Sequence, residues 1–260
     1  MGDAYLEPLI RDMTWSYSKL STFLDCPYRW YLRYIRFPKA EDKALFFAEY
    51  GIFMHKLMEL FLKREKSSKE LELMYLRDFK ENVTAPAPNL NIFESYFKDG
   101  LRSVKELKPL PFDIIAVEKK FKFKLGGFSF VGRIDVLAKK DGELFIIDNK
   151  SRKLRPRSKR AKPTLSDIEL DNYLKQLYLY SAAIKEEYGK FPKALCFNCF
   201  REPRFIEEPF SMDTYFNTKK EFLDMIENIA KEEDFAPDGA FFKCRNLCSM
   251  QDHCEYFRLM

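Results

Sequence analysis

The chain reads as an α/β protein, and three observations predict it. Three strand-like runs follow one another between residues 112 and 150, FDIIAVEKKFKFKL, FSFVGRIDVLAKK and ELFIIDNK, separated by turn signals at Gly126-Gly127 and Asp141-Gly142. Patterns of helical period flank them on both sides. A fourth strand-like run, KALCFNCF, comes after the helix that follows. The order helix, three strands, helix, strand predicts a sheet covered by helices, with added N- and C-terminal helical segments.

Taken in order, TWSYSKLSTFLDCPYRWYLRYI predicts an N-terminal helical region, with Ser18 or Ser21 as its cap. GIFMHKLMELFLKRE, from Gly51, places Ile52, Leu57, Leu60 and Phe61 among apolar positions of helical period. Residues 67–110 predict a mostly helical insertion, broken by the loop TAPAPNLN. After the three strands, SDIELDNYLKQLYLYSAAIKEEYG predicts a helix capped by Ser166 and closed by Gly189. SMDTYFNTKKEFLDMIENIAKEED predicts a late helix. The expected organisation is one domain over residues 1–260, with a core at 51–200 and terminal segments at 1–36 and 211–260.

Composition narrows the class. With 26 Phe and 14 Tyr in 260 residues, the chain has ample material for a core, which argues against disorder. No run approaches the roughly 18 apolar residues of a membrane helix. The first twenty residues lack the sections of a signal peptide, so the expected location is cytoplasmic. A net charge of +5 is too mild to imply nucleic acid, but SRKLRPRSKRAKP, residues 151–163, holds seven basic residues and no acid. Such a run is either a solvated loop or a track for a phosphate backbone.

That basic run follows a cluster of acids and a lysine. Asp148 and Lys150 are two apart on a predicted strand and share a face. If GRID pairs with IIDNK, Asp135 comes near Asp148. Two close carboxylates repel unless a divalent cation lies between them. Mg²⁺ suits such a site, because it takes one or two carboxylates and leaves room for water and phosphate oxygens. The metal would polarise a phosphodiester, and Lys150 could orient the attacking water or stabilise developing charge. On an otherwise apolar helix, His55 is either a core histidine or a third ligand. Gln176 and Tyr180 are four apart and share a helical face.

The six cysteines fall into two groups. Cys196 and Cys199, three apart on a strand, point to opposite faces and read as buried structural thiols. Cys244, Cys248 and Cys254 lie within eleven residues of turn-like sequence, and Cys26 is the free candidate for a fourth ligand. Disulfides are disfavoured in a cytoplasmic protein. Four thiolates suit tetrahedral Zn²⁺ or a [4Fe–4S] cluster, and His253 could replace one cysteine around zinc.

His55 in GIFMH, Asp135 in GRID, Asp148-x-Lys150 in IIDNK and Gln176-x3-Tyr180 in QLYLY occur in that order. The set resembles the RecB-like branch of the PD-(D/E)XK nucleases, and YSKLSTFLDCPYRWYLRYI resembles that branch's N-terminal signature. The resemblance implies a restriction-endonuclease-like core. It implies His55, Asp135, Asp148 and the backbone carbonyl of Asn149 as ligands of Mg²⁺ or Mn²⁺. Asp135, Asp148, Lys150, Gln176 and Tyr180 would form the catalytic set, the last two contacting substrate or the attacking water. Glu118, in AVEKKF, falls on the preceding strand and stays outside that set. AddB-like and CRISPR-adaptation members carry one early and three late cysteines around an iron–sulfur cluster. Cys26, Cys244, Cys248 and Cys254 look like that arrangement, which would staple the terminal segments together; Zn²⁺ is the alternative.

The implied activity is a metal-dependent DNA exonuclease acting on linear or single-stranded DNA, in repair, recombination or CRISPR adaptation. Its implied partners are DNA and a helicase or CRISPR-adaptation subunit, with no membrane. No phosphate loop of the form GxxxxGK[ST] is present, so the chain carries no helicase motor of its own. The rival expectation is a non-catalytic DNA-binding module whose iron–sulfur or zinc site shapes a binding surface.

Overall fold

Two tight turns build the first half of the sheet. In the computed structural model, which describes residues 6–259, β1 (Asp113–Leu125) returns into β2 (Phe128–Lys140) through Gly126 and Gly127, at φ 58° and 89°. β2 returns into β3 (Glu143–Lys150) through Asp141 and Gly142, at φ 51° and 81°. Two successive left-handed residues give a turn whose twist matches antiparallel strands, which explains Gly-Gly and Asp-Gly at these places.

β3 then pairs in parallel with β4 (Ala194–Cys199), and β5 (Arg204–Pro209) lies antiparallel on its far side, giving the order β1-β2-β3-β4-β5. A parallel neighbour requires a crossover, supplied by α7 (Leu165–Tyr188). Its cap is Thr164 rather than the expected Ser166. Asp167 bonds reciprocally with Thr164 and also accepts from the backbone N–H and hydroxyl of Ser158, which anchors the earlier start. Gly189 closes the helix at φ 75°. Strand β5 has no counterpart in the sequence reading: it buries only Ile206, so its apolar pattern is silent.

Helices cover both faces. β3 is central, and its unbroken LFII run is buried because alternate side chains face two cores. Leu144 and Ile146 pack with α7 and with α8 (Met212–Ala230). Phe145 and Ile147 pack with α4 (Phe46–Leu62), α5 (Ser68–Asn82) and residues of α6 (Leu90–Lys105). On α4, Leu57 is buried as its period predicts, whereas Ile52 is 72% exposed.

The terminal segments lie against each other. α1 (Leu6–Arg11) packs on α8, and Arg11 reaches Glu227 at 2.8 Å. Trp15 bridges to β2: its N–H donates to the Ser129 carbonyl, and its carbonyl accepts from Val131, both at 2.8 Å. This extended residue fixes the next helical start, so Ser16, not Ser18 or Ser21, caps α2 (Tyr17–Asp25). α3 (Pro27–Tyr31) runs into a π-helical turn at Leu32–Arg36. Tyr28 donates to Glu255 at 2.6 Å, and Lys243 of α9 (Phe241–Leu247) lies 2.8 Å from Asp25. Among the described residues, no helix is long and apolar enough to cross a membrane.

Candidate active site

Strand register brings the acids together. β1 and β2 pair as Val117↔Val136 and Lys119↔Ile134, which places Glu118 across from Asp135. The β2–β3 ladder ends at Val136↔Ile147, and one step further stand Asp135 and Asp148. Glu118, Asp135 and Asp148 therefore share one rung across three strands. Regular pairing breaks on that rung. Glu118 adopts φ 55°, rare for a residue with a Cβ and costly by about 1–3 kcal/mol. Like charges directly opposite destabilise a sheet further. The sheet tolerates both costs at one place.

The three acids line a cleft of about 880 Å³ with His55 from α4, Lys150 from β3, and Gln176 and Tyr180 from α7. His55 Nδ1 lies 3.5 Å from Asp135 Oδ2, and the Asn149 backbone N–H donates to that same oxygen at 2.8 Å. The Asn149 side chain is turned away and accepts from Asn198 at 2.8 Å. Lys150 Nζ stands 2.7 Å from Asp148 Oδ2 and 3.4 Å from the Gln176 oxygen, and Gln176 donates to the Tyr180 hydroxyl at 3.2 Å. A polar chain thus runs Asp148, Lys150, Gln176, Tyr180.

Gly132 explains the first letter of GRID. A Cβ there would fall 2.6 Å from the Phe121 ring and 2.7 Å from Tyr180 Cε1. Only glycine lets Tyr180 lie against the sheet.

Burial sets the protonation of the site. Asp135 is pushed up to about 8, by burial first and by the Asp148 charge second, against the lowering effect of the Asn149 N–H. Burial also raises Glu118 and Tyr180 and lowers His55, keeping the imidazole neutral.

Arg133 Nε is 2.7 Å from Glu118 Oε2, a charge contact without hydrogen-bond alignment; Lys150 meets Asp148 in the same way. Each leaves a buried carboxylate oxygen lacking a hydrogen bond. Ligand atoms of His55, Glu118 and Asp135 all lie within 4.8 Å of one another. Orphaned carboxylate oxygens beside a neutral imidazole fit a divalent cation. Such an ion, when bound, supplies Lewis acidity toward a phosphodiester and its attacking water.

Glu118 is the residue that side-chain spacing along the chain does not reveal. It stands eight residues before Gly126, and Asp135 stands eight after Gly127. Asp135 likewise precedes Asp141 by six, and Asp148 follows Gly142 by six. Folding the sequence at its two turns aligns all three acids.

The helix α4, the rung of acids and the α7 pair are the parts of one known architecture. Residues 14–255 match the PD-(D/E)XK nuclease superfamily. The chain belongs to that superfamily. One solved structure agrees on the fold of this PD-(D/E)XK protein: a Eubacterium rectale protein, described provisionally as an exonuclease, superposes with TM-score 0.53 at 10% identity, over 96% of this chain and 91% of that one. The structure of SSO0001 aligns at 16% identity and TM-score 0.34, over 92% of this chain and 95% of that chain. No curated protein matches the sequence.

The cysteines of this PD-(D/E)XK protein separate as their spacing predicts. Cys196 and Cys199 are buried in β4 and face opposite cores. Burial pushes the Cys199 thiol up to about 11 and raises Cys196 as well. Cys26, Cys244, Cys248 and Cys254 line one cavity of about 210 Å³, all four unpaired. Gly239 forms part of its wall, where a Cβ would fall 2.4 Å from Cys244 Sγ. His253 packs on Phe37, ring centroids 4.8 Å apart, and is not part of that lining.

The basic run is a mostly exposed loop, one of the two forms expected of it, and it carries ion pairs. Arg152, Lys153, Arg155 and Arg157 pair with Glu169, Glu202, Asp171 and Glu208 at 2.6–3.9 Å. Acids on α7, on β5 and in the turn before β5 meet four of the seven cations; among the described residues Lys159, Arg160 and Lys162 have no acid partner.

Proposed function

We propose that the chain is a divalent-metal-dependent deoxyribonuclease of the RecB-like branch, trimming linear or single-stranded DNA. The observation that carries this reading is the rung of Glu118, Asp135 and Asp148 beside the chain Lys150–Gln176–Tyr180. A pure binding surface gains nothing from buried carboxylates where phosphates must approach.

His55, Glu118, Asp135 and Asp148 would hold Mg²⁺ or Mn²⁺, with the Asn149 carbonyl as a further donor. Asn149 already orients Asp135 through its N–H. Lys150, which meets Asp148 at 2.7 Å, would steady charge on the phosphate with its ammonium. Gln176 positions Lys150 through its oxygen and Tyr180 through its amide. No covalent intermediate is required.

The four-cysteine cavity supports a thiolate-bound staple between the terminal segments. Four thiolates suit tetrahedral Zn²⁺ or a [4Fe–4S] cluster, and the cluster is the group this reading assigns to the cavity. The whole chain acts as one domain, and a helicase or CRISPR-adaptation subunit is the partner class in this reading.

End-labelled linear DNA, incubated with Mg²⁺, Mn²⁺ or EDTA beside Lys150→Ala, tests it. Metal-dependent shortening that disappears in the variant is expected. Binding in EDTA with no products in either metal would turn the protein into a DNA-binding module.

A further inference from the structure

Beside the cleavage cleft lies a second concavity, of about 860 Å³, whose role the metal site leaves open. Its walls come from the start of α4, the loop at residues 85–89 and α9. We propose that this groove binds single-stranded DNA continuing out of the cleft, a proposal that rests on the nuclease reading and names the form of its substrate.

Continuity is the first observation. Phe47, on the first turn of α4, lines both the groove and the cleft, so a strand in one passes that ring into the other. Charge is the second. The groove lining carries Lys43 and Arg245 and no acid, whereas the cleft holds Glu59, Glu118, Asp135 and Asp148. Among the described residues, Arg245 has no carboxylate partner and rests only near Phe241, 5.7 Å from the ring centroid. Lys43 pairs with Asp252 at 3.3 Å in an exposed contact, which a phosphate can replace at little cost.

The third observation is chemical. Phe242 on α9 lines the groove and is 54% exposed, so its ring is open to a ligand there. Pro86 and Pro88 line the same groove and add apolar surface without N–H donors. Cations interleaved with open aromatic faces suit unstacked bases on a phosphate backbone. A duplex hides its base faces and would use the cations alone. Asn246 spends its amide N–H on the Phe242 carbonyl, so its side-chain oxygen stays available to a base edge.

The groove is also braced from behind. α9 contributes Cys244 to the four-cysteine cavity and Phe242 and Arg245 to the groove, and Gln251 and Phe257 line both.

The test is fluorescence anisotropy in EDTA, where no cleavage intervenes, with a dT oligonucleotide of about 15 nucleotides and a blunt duplex of equal length. Phe242→Ala should weaken oligonucleotide binding about tenfold and leave the duplex unchanged. Arg245→Ala should lower the salt slope of oligonucleotide binding by about 0.7. Leu73→Ala, an exposed leucine on α5 away from the groove, serves as the control and should bind as wild type. Wild-type oligonucleotide affinity in both groove variants would overturn the proposal and leave the groove to a protein partner. Equal loss on oligonucleotide and duplex would overturn the single-strand assignment. A Phe242→Ala effect confined to the oligonucleotide, in a protein that cleaves nothing, would retain the groove and sink the nuclease reading instead.

Discussion

Asp135→Asn removes one charge from the rung without changing its shape, and the metal-free protein should become more stable for it. Asp135 is lifted from an ordinary value near 3.8 to about 8. The folded state therefore holds a proton that the unfolded state has released across this window. The penalty for ionising Asp135 is absent below about pH 4, grows with pH, and is complete above about pH 8. Each unit is worth about 1.4 kcal/mol, so four units set a ceiling near 6 kcal/mol. Partial water access and sharing of charge with Asp148 reduce this to about 2–3 kcal/mol. For a chain of this size that is a Tm rise of about 5–10 °C. Thermal unfolding in EDTA at pH 8 should show the variant melting above wild type, with the gap shrinking to a few degrees at pH 5. Excess Mn²⁺ should close or reverse it, because only wild type gains the linkage stabilisation of a bound ion. A variant that melts below wild type at pH 8 in EDTA, or a gap that ignores pH, would refute the buried-charge account.

Glu118→Gln should lower Mn²⁺ affinity in titration calorimetry at least tenfold; an unchanged affinity would remove Glu118 from the ligand set. Gly132→Ala should destabilise the fold by about 1–3 kcal/mol and lower kcat by displacing Tyr180, read from melting and from DNA turnover. Cys248→Ser should lower Tm and speed limited proteolysis of the terminal segments; an unaffected melt would argue against a staple in the cysteine cavity.

The fold was legible where local chemistry is decisive. Gly-Gly and Asp-Gly marked the two turns, and the LFII run marked the strand buried on both sides. With the turns known, Asp135, Asp148 and Lys150 fall on one hairpin, and the structure sets them in one cleft with His55, Gln176 and Tyr180. Glu118 was legible on the rung only by counting outward from the Gly126-Gly127 turn, not from spacing within its own strand. Its place on the rung is a pairing property, and a single strand carries no sign of its partner. The caps at Ser16 and Thr164 were misplaced for a similar reason: Trp15 is held by β2, and Asp167 by Ser158, across tertiary contacts. The ion pairs of the basic run were not legible, because their acids Glu169, Asp171, Glu202 and Glu208 lie up to 51 residues away in the chain. β5 stayed hidden because an edge strand with one buried residue has no periodicity to read.

The contacts that close the two ends also dictate a timetable. Tyr28 and Glu255 are 227 residues apart, and Arg11 and Glu227 are 216 apart. During synthesis Tyr28 must wait for 227 further residues before its partner Glu255 is made. Loops of that length close slowly. Trp30 likewise lacks Phe235, one of its stacking neighbours, until that distant residue is made, and the surface between them faces water before then. The β1–β2 and β2–β3 hairpins are assembled from neighbours and can form early, so the rung of acids can exist before its surroundings do. The acids can therefore stand in register while the distant segments that brace their surroundings are still unpaired.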